Sequence, residues 1–597
     1  MLTIFQARSL LVLLTVAIHH QAHGSPQASP PGQPLTKADP QTNTLSAATS
    51  TYFGWSSWSL QANKGKGYGY DWLNEKNIKA QADVMFKEFS HLGYDRINLD
   101  SGWQDDAVDK YGRTVLNHDK FPSGIEHLSS YLAQRKLKLG LFYLPGIDSR
   151  AVNDQAVVMN TKYTANQIIQ CPDREALGCN RMMPNAFNTG LALNYSHPGA
   201  QMYINSVVDG LYSWGVSFVK LAGVVPGSGV DPVEWWKYNT TGDLMAWRKA
   251  IDDMYQQKWQ KQGREPIWLA VSWKIPTVAG STMDKYADSF RIEQDIEAYV
   301  GTMTTSFYRV IRSVKTSALW SSVDANREWK GIRDLDSILI SDMTVAECKT
   351  MITIWAMSGS VIYLGDDLTK LPEARKALVK NPEVLKVAII ASTKQARLDG
   401  YDPKAYGTRT TTAQPLGQRL NSVDQLGVNE VTEAYQIIAS DCDEMALKRQ
   451  LVVESGLKQK VDNSDNLYQS CMKASANEKS THLRTRSTTE SEGVNPDPWI
   501  LQTWVLEQGQ GDIYVAVVNA GEQIDEDKPA KVQISLSKLK TLQKSPRIKQ
   551  MTRVRYAVRD LWANKNLSNV AFQGAIDATL ETHGPILLKF SPIFPLN

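Results

Sequence analysis

Residues 77–92, NIKAQADVMFKEFSHL, lead into residues 96–100, RINLD. The first stretch has helical periodicity; the second is a short β-branched run that ends on a carboxylate. The same pairing recurs on both sides of it. Further strand candidates are YFGW (52–55), LKLGLFYL (137–144), SFVKLA (217–222), IWLAVSW (267–273), SFRIEQ (289–294), a weak one in WKGIRDLDS (329–337), and SVIYLG (360–365). Helix-period segments such as AQMYINSVVDGLYSWG (200–215) separate many of them. Eight alternating units over residues 51–390 predict an α/β fold, a (β/α)8 TIM barrel. A doubly wound sheet is the alternative, but no G-x-G-x-x-G opens the pattern.

Beyond residue 390 the periodicity weakens. Residues 391–497 are polar and irregular and read as an insertion or extension. Residues 498–597 return to short alternating strands, among them WILQTWVLEQ, DIYVAVVNAG and GPILLKFSP, which predict a C-terminal antiparallel β-sandwich.

The chain has 597 residues, enough for more than one core, and 65 basic against 62 acidic residues, a net charge of +3. No basic block suggests a nucleic-acid partner, and no apolar run is long enough to span a membrane. The N-terminus reads as a secretion signal over residues 1–24: one cation, the apolar run SLLVLLTVAI (9–18), then small residues at AHG (22–24). Residues 25–50 form a Pro/Ser/Thr-rich linker. Secretion allows disulfides. Cys171 and Cys179 bracket a short polar loop and are read as a pair, as are Cys442 and Cys471; Cys348 lies in a helical pattern and is expected to be a buried free thiol. The sequons at Asn194, Asn239 and Asn566 are candidate glycosylation sites. The pattern calls for no cofactor and no metal, and oligomeric state is left open.

In a barrel the C-terminal strand ends build the site. Here they carry Trp55, Asp100, Lys220, Trp273, Arg291 with Asp295, and Asp336. Any one of these alone would pass for a cap or loop residue. Their convergence on one rim is what makes them candidates.

Five stretches in order resemble glycoside hydrolase family 27, the α-galactosidase-like retaining enzymes: GWSSW (54–58), YDRINLDSGWQ with YGRTVLNHDKFPSGIEHLSSYL, LKLGLFY (137–143), SFRIEQDIE (289–297), and RDLDSILISDMTVAECKTMITIWAMSGSVIYLGDDL (333–368). The resemblance covers residues 51–390, and the β-sandwich fits it. It implies a secreted glycosidase acting on an oligo- or polysaccharide through two carboxyls, about 5–5.5 Å apart. Asp295 matches the acid/base and Arg291 a donor to substrate hydroxyls. Trp55, Asp100, Ser101, Tyr143, Lys220, Trp273, Lys274 and Asp336 fall at substrate-binding positions. The nucleophile motif K-x-D is represented by Lys220, Leu221 and Ala222: the lysine is in place and the carboxylate is not.

A methyl group cannot attack an anomeric carbon. Two readings follow: a hydrolase whose nucleophile has been replaced by Ala222, or a secreted protein that binds sugar without cutting it. Galactose-specific members use two adjacent aspartates after the second strand, where this chain has Asp100 and Ser101. At the third strand the family's tyrosine aligns with Phe142, beside Tyr143, and Trp273–Lys274 follows the fifth. An α-galactoside, a β-L-arabinopyranoside and an α-1,6-glucan (the isomalto-dextranase type) all remain open as substrates.

Overall fold

The structure is a computed structural model that describes residues 51–170, 184–187, 189–225, 239–299, 303–324, 331–394, 396–399, 501–509, 511–520 and 530–594. The signal and linker readings, both cysteine pairs and most of the 391–497 stretch lie outside the described residues.

Eight parallel strands form the first sheet: β1 (Phe53–Ser56), β2 (Tyr94–Leu99), β3 (Lys138–Tyr143), β4 (Val216–Leu221), β5 (Trp268–Val271), β6 (Ser289–Arg291), β7 (Ile332–Asp334) and β8 (Ile362–Leu364). Their order is β8-β1-β2-β3-β4-β5-β6-β7. The ends meet through a parallel bridge between Ile338 and Leu364, where Ile338 N–H donates to the Tyr363 carbonyl (2.7 Å). The sheet thereby curls into the expected barrel. The weak seventh strand is indeed short. Its Arg333 is held between the rings of Phe290 (4.6 Å) and Trp320 (4.7 Å) and paired with Asp284 (2.5 Å).

Strand alternation sorts side chains between two concentric cores. Tyr52, Phe218, Ala270, Ile332, Val361 and Tyr363 cluster together inside the barrel. Phe53, Trp55, Ile97, Val219 and Leu221 join the larger cluster beneath the helices. Helix α1 (Glu75–Glu88) shows the logic of that outer layer. Asn74 caps it, accepting from Asn77 N–H (3.0 Å), and Ile78, Ala82 and Met85 form its buried stripe. Helix α2 (Pro198–Ser213) starts with proline in its first turn, where the missing N–H costs nothing. Helix α3 (Val345–Met357) opens with a Thr344–Glu347 capping box and buries Cys348, the free thiol expected from the sequence.

The C-terminal part holds two antiparallel sheets. One includes β9 (Arg397–Asp399), β10 (Leu501–Glu507), β11 (Ile513–Asn519), β13 (Arg555–Asp560) and β15 (Pro585–Ile593); the other pairs β12 (Ala530–Ile534) with β14 (Ile576–Leu580). Arg397–Asp399, read from sequence as part of an irregular stretch, is an edge strand paired with Leu501–Glu507. Strand β11 is buried along its whole length, and its alternation explains why. Ile513, Val515 and Val517 enter the core between the two sheets, while Tyr514, Ala516 and Val518 join the barrel's outer core. Trp562 Nε1–H donates to Thr353 Oγ1 (2.8 Å), and Asn381 Nδ2–H to the Leu561 carbonyl (2.9 Å), across the same boundary. Among the described residues no helix is long and apolar enough to cross a membrane.

Candidate active site

A cavity of about 480 Å³, counted to its open mouth, occupies the C-terminal end of the barrel. Its lining includes Trp58, Asp100, Lys220, Arg291, Glu297 and Asp336.

The rim is stitched together by the loops after β1 and β2. Ser57 Oγ donates to Gln61 Oε1 (2.6 Å) and accepts from Asp100 N–H (2.9 Å); Gln61 Nε2–H donates to the Ser101 carbonyl (2.6 Å). These bonds aim the Asp100 carboxylate past β3 at β4, where Lys220 Nζ donates to its Oδ2 (2.8 Å). Burial alone would push the Lys220 ammonium down. Asp100, with Asp295 beyond it, more than offsets that and holds the pKa above the ordinary lysine value.

The opposite wall is built by β6 and β7. Arg291 is almost wholly buried and its Nη2 reaches two carboxylates, Asp336 Oδ2 at 2.6 Å and Asp295 Oδ1 at 3.1 Å. Asp336 sits at φ +83°, a costly backbone state for a non-glycine residue. Hydrogen bonds hold it there: it accepts from Ile296 N–H (2.9 Å), Ser337 N–H (2.7 Å) and Tyr363 O–H (2.9 Å). Asp334 accepts from Asp336 N–H (2.7 Å) and shapes this turn; burial pushes its pKa up to about 7, against the pull of Arg291. Asp295 Oδ2 accepts from the Tyr299 hydroxyl, which in turn accepts from Trp58 Nε1–H (3.0 Å). Carboxylate oxygens of Asp295, Glu297 and Asp336 lie within 4.8 Å of one another, and the Arg291 guanidinium supplies positive charge between two of them.

Ala222 stands just past β4, two residues beyond Lys220 and so in the same register. It is buried, and its N–H donates to the Tyr143 carbonyl (2.9 Å). The ends of β4 and β6, after which Ala222 and Asp295 follow, lie on one rim and are separated by β5.

Three expected contacts turn out differently. Trp55 is fully buried and faces outward, with Nε1–H on the Asp366 carbonyl (2.9 Å) and its ring near Trp72. The reason is parity: Ser56 lines the cavity, so its neighbour in the strand cannot. Trp58, in the same GWSSW motif, takes the place at the cavity. Tyr143 packs against Trp103 and Trp247 and donates from its hydroxyl to Thr114 Oγ1 (3.1 Å). Trp273 is buried and stacked on Phe187 (5.9 Å between centroids), and Lys274 follows it at φ +51°. Ser101 sits beside Asp100 and its N–H donates to Asp100 Oδ1 (2.8 Å). The sequence reading missed Trp58 and Glu297, although both lie inside the motifs that carried it. Parity along β1 would have excluded Trp55, leaving Trp58 as the motif's other tryptophan; Glu297 lies past the end of β6, where no period points to it.

Comparison with known proteins adds the lineage. A family model described as alpha galactosidase A matches residues 51–152, and one described as the alpha galactosidase C-terminal beta sandwich domain matches residues 500–590. The chain is 29% identical over 442 residues to alpha-galactosidase 3 of Hypocrea jecorina, covering 70% of this chain and 64% of that relative. It is 24% identical over 376 residues to alpha-galactosidase 2 of Arabidopsis thaliana, covering 62% and 74%. The chain is therefore similar to the alpha-galactosidases of glycoside hydrolase family 27.

Solved structures share the fold through both parts of the chain. A GH27 β-L-arabinopyranosidase of Geobacillus stearothermophilus superposes with a TM-score of 0.60 at 18% identity, covering 92% of this chain and 98% of that one. Alpha-galactosidase I of Mortierella vinacea gives 0.53 at 17%, covering 92% and 98%. The candidate glycosylation sites lie at the surface in two cases: Asn239 and Asn566 are exposed, and Asn194 is half-buried, accepting from Ser196 N–H (3.0 Å).

Proposed function

We propose that this protein is an exported family-27 glycosidase that seats a terminal glycosyl residue in the barrel mouth, and that Ala222 leaves it without the nucleophile of double displacement. The observation that carries the reading is the convergence of Lys220–Asp100 and Arg291–Asp336 on one cavity at the strand ends, with Asp295 paired to Arg291 behind it. A buried and a part-buried cation, each held by carboxylates, suit a ligand rich in hydroxyls, because each group can exchange hydrogen bonds with a sugar without leaving its partner.

The chemistry assigns one role to each wall. Asp295 gives its proton to the glycosidic oxygen as the anomeric C–O bond breaks. A carboxylate at position 222 would form the new bond to the anomeric carbon, to be displaced by water as Asp295 takes the water's proton back. With Ala222 the first bond cannot form and the intact glycoside stays bound. The substrate is a terminal α-galactoside or a β-L-arabinopyranoside, pyranosides with the same ring pattern apart from C6; Ser101 in place of a second aspartate leaves either in play. An α-1,6-glucan is the third candidate.

The test is Ala222→Asp, assayed on p-nitrophenyl glycosides of these sugars. Release of nitrophenol with retained configuration is the expected result. In parallel, azide added to the chain as it stands should give the inverted glycosyl azide. Silence in both assays, with sugar still bound, would favour the second reading suggested by Ala222: a secreted carbohydrate-binding protein.

A further inference from the structure

Glu297 is not used in the chemistry above. It lies two residues after Asp295, lines the cavity, and is only 2% exposed. Its Oε1 accepts from Ser59 Oγ (2.6 Å) and Ser337 Oγ (3.3 Å). Its Oε2 is buried and has no hydrogen-bond partner. A carboxylate in that state would be costly, since an unsatisfied buried charge loses its full hydration.

The charges around it decide which form is present. Asp336 and Asp295 face it from β7 and β6, with Arg291 between them; Ser59 and Ser337 contribute only hydroxyls. The Arg291 guanidinium is already committed to the two aspartates. On the far side, Lys220 is paired with Asp100. Among the described residues no ion pair reaches Glu297, although the Arg291 charge still acts on it from a distance. Burial, reinforced by Asp336 and Asp295, pushes the Glu297 carboxyl from 4.5 up to about 8. Since Oε1 is occupied by two hydroxyl donors, the proton belongs on Oε2.

We propose that Glu297 determines sugar specificity as a neutral carboxylic acid, its Oε2–H donating a hydrogen bond to a ring hydroxyl of the bound glycosyl residue. This rests on the reading that the cavity takes a sugar. The unpartnered oxygen is then the place held for the ligand, and a sugar able to accept there gains over an analogue that cannot.

Because Ala222 keeps the glycoside whole, binding can be measured by calorimetry on the unaltered chain. The probes are p-nitrophenyl α-D-galactopyranoside and p-nitrophenyl β-L-arabinopyranoside, titrated from about pH 5 to about pH 9, a range that brackets a carboxyl shifted this far. Affinity should be flat at first and then weaken above about pH 8. Glu297→Gln, which keeps a neutral donor, should bind within a few-fold of the parent and lose that pH dependence. Glu297→Ala should bind about tenfold more weakly, the worth of one hydrogen bond to a satisfied buried site. A second measurement needs no sugar: the infrared difference between the parent and Glu297→Gln should contain a carboxylic acid carbonyl band at neutral pH that vanishes as pH rises. Affinity that climbs above about pH 8 would mark an ionised acceptor and overturn the assignment, as would absence of the band. Sugar binding indifferent to both substitutions and to pH would overturn it while leaving the proposed function standing. Absence of sugar binding in every variant, with the band present, would overturn the proposed function and with it any role of Glu297 toward sugar.

Discussion

The two sides of the cavity solve the burial of charge differently. On the β2–β4 side, one ammonium faces one carboxylate at 2.8 Å, and a methyl group follows two residues later. On the β6–β7 side, a single guanidinium serves two carboxylates while Asp334 and Glu297 crowd in behind. The first side is balanced and has an unfilled chemical role at Ala222. The second is over-supplied with acid, and its balance is restored by protons: burial raises Asp334 to about 7 and Glu297 to about 8. Acid excess on one wall and a missing acid on the other are separate matters, because a proton donor cannot serve as the attacking group.

The largest expected effect tests the deficient side. Ala222→Asp should raise kcat/KM on the aryl glycosides by on the order of 10⁴-fold or more, the scale on which removal of a catalytic nucleophile is felt. A null result in a folded variant that binds sugar would mean that the β4 side has lost more than one carboxylate. On that restored background, Asp295→Asn should slow glycosides with poor leaving groups by roughly 10²–10⁴-fold while largely sparing activated ones in the first step. Loss of the acid limb of the pH–rate profile would be the accompanying signature.

The next two predictions separate charge that serves the site from charge that holds the wall. Arg333 lies one strand over from Arg291 but packs between aromatic rings, paired with Asp284. Arg333→Leu should cost about 3–5 kcal/mol, since it strands a buried carboxylate; melting curves would show it, with sugar affinity of the folded fraction unchanged. A change in affinity matching that of Arg291→Leu would erase the distinction. Glu297 should also shape stability against pH. Its folded pKa is raised, so between 4.5 and about 8 the folded chain keeps a proton that the unfolded chain has lost. Stability therefore falls as pH rises through that window and levels off above it. Glu297→Gln should flatten this decline by on the order of 5 kcal/mol, leaving the smaller slope that Asp334 contributes in the same direction. Thermal melts across the window would check both.

The smallest effect belongs to the contact between barrel and C-terminal sheet. Thr353→Val removes the acceptor of the Trp562 indole N–H and should cost about 1 kcal/mol without touching sugar binding.

Much of the fold was legible in the chain. Each of the eight barrel strands overlaps a stretch picked out by pattern, because a buried parallel strand must be apolar throughout and the helix after it must show a stripe. Arg397–Asp399 was not legible. Three residues offer no period, and their partner, Leu501–Glu507, lies about a hundred positions away. The site shows the same division. Asp100, Lys220, Arg291 and Asp336 were found because charge at an apolar strand's end is conspicuous. Trp55 was mistaken for Trp58 because a motif names both and only the strand's parity tells which one faces inward.

What the amino-acid order determined by itself is the succession of strands and helices, the rim on which the polar residues stand, and the alanine where a carboxylate would attack. These are local or periodic facts, written in spacing and residue type. What only the tertiary structure decided is which oxygen goes without a partner and which acid keeps its proton. Both depend on burial and on charges contributed by different strands, and those come together only when the barrel closes.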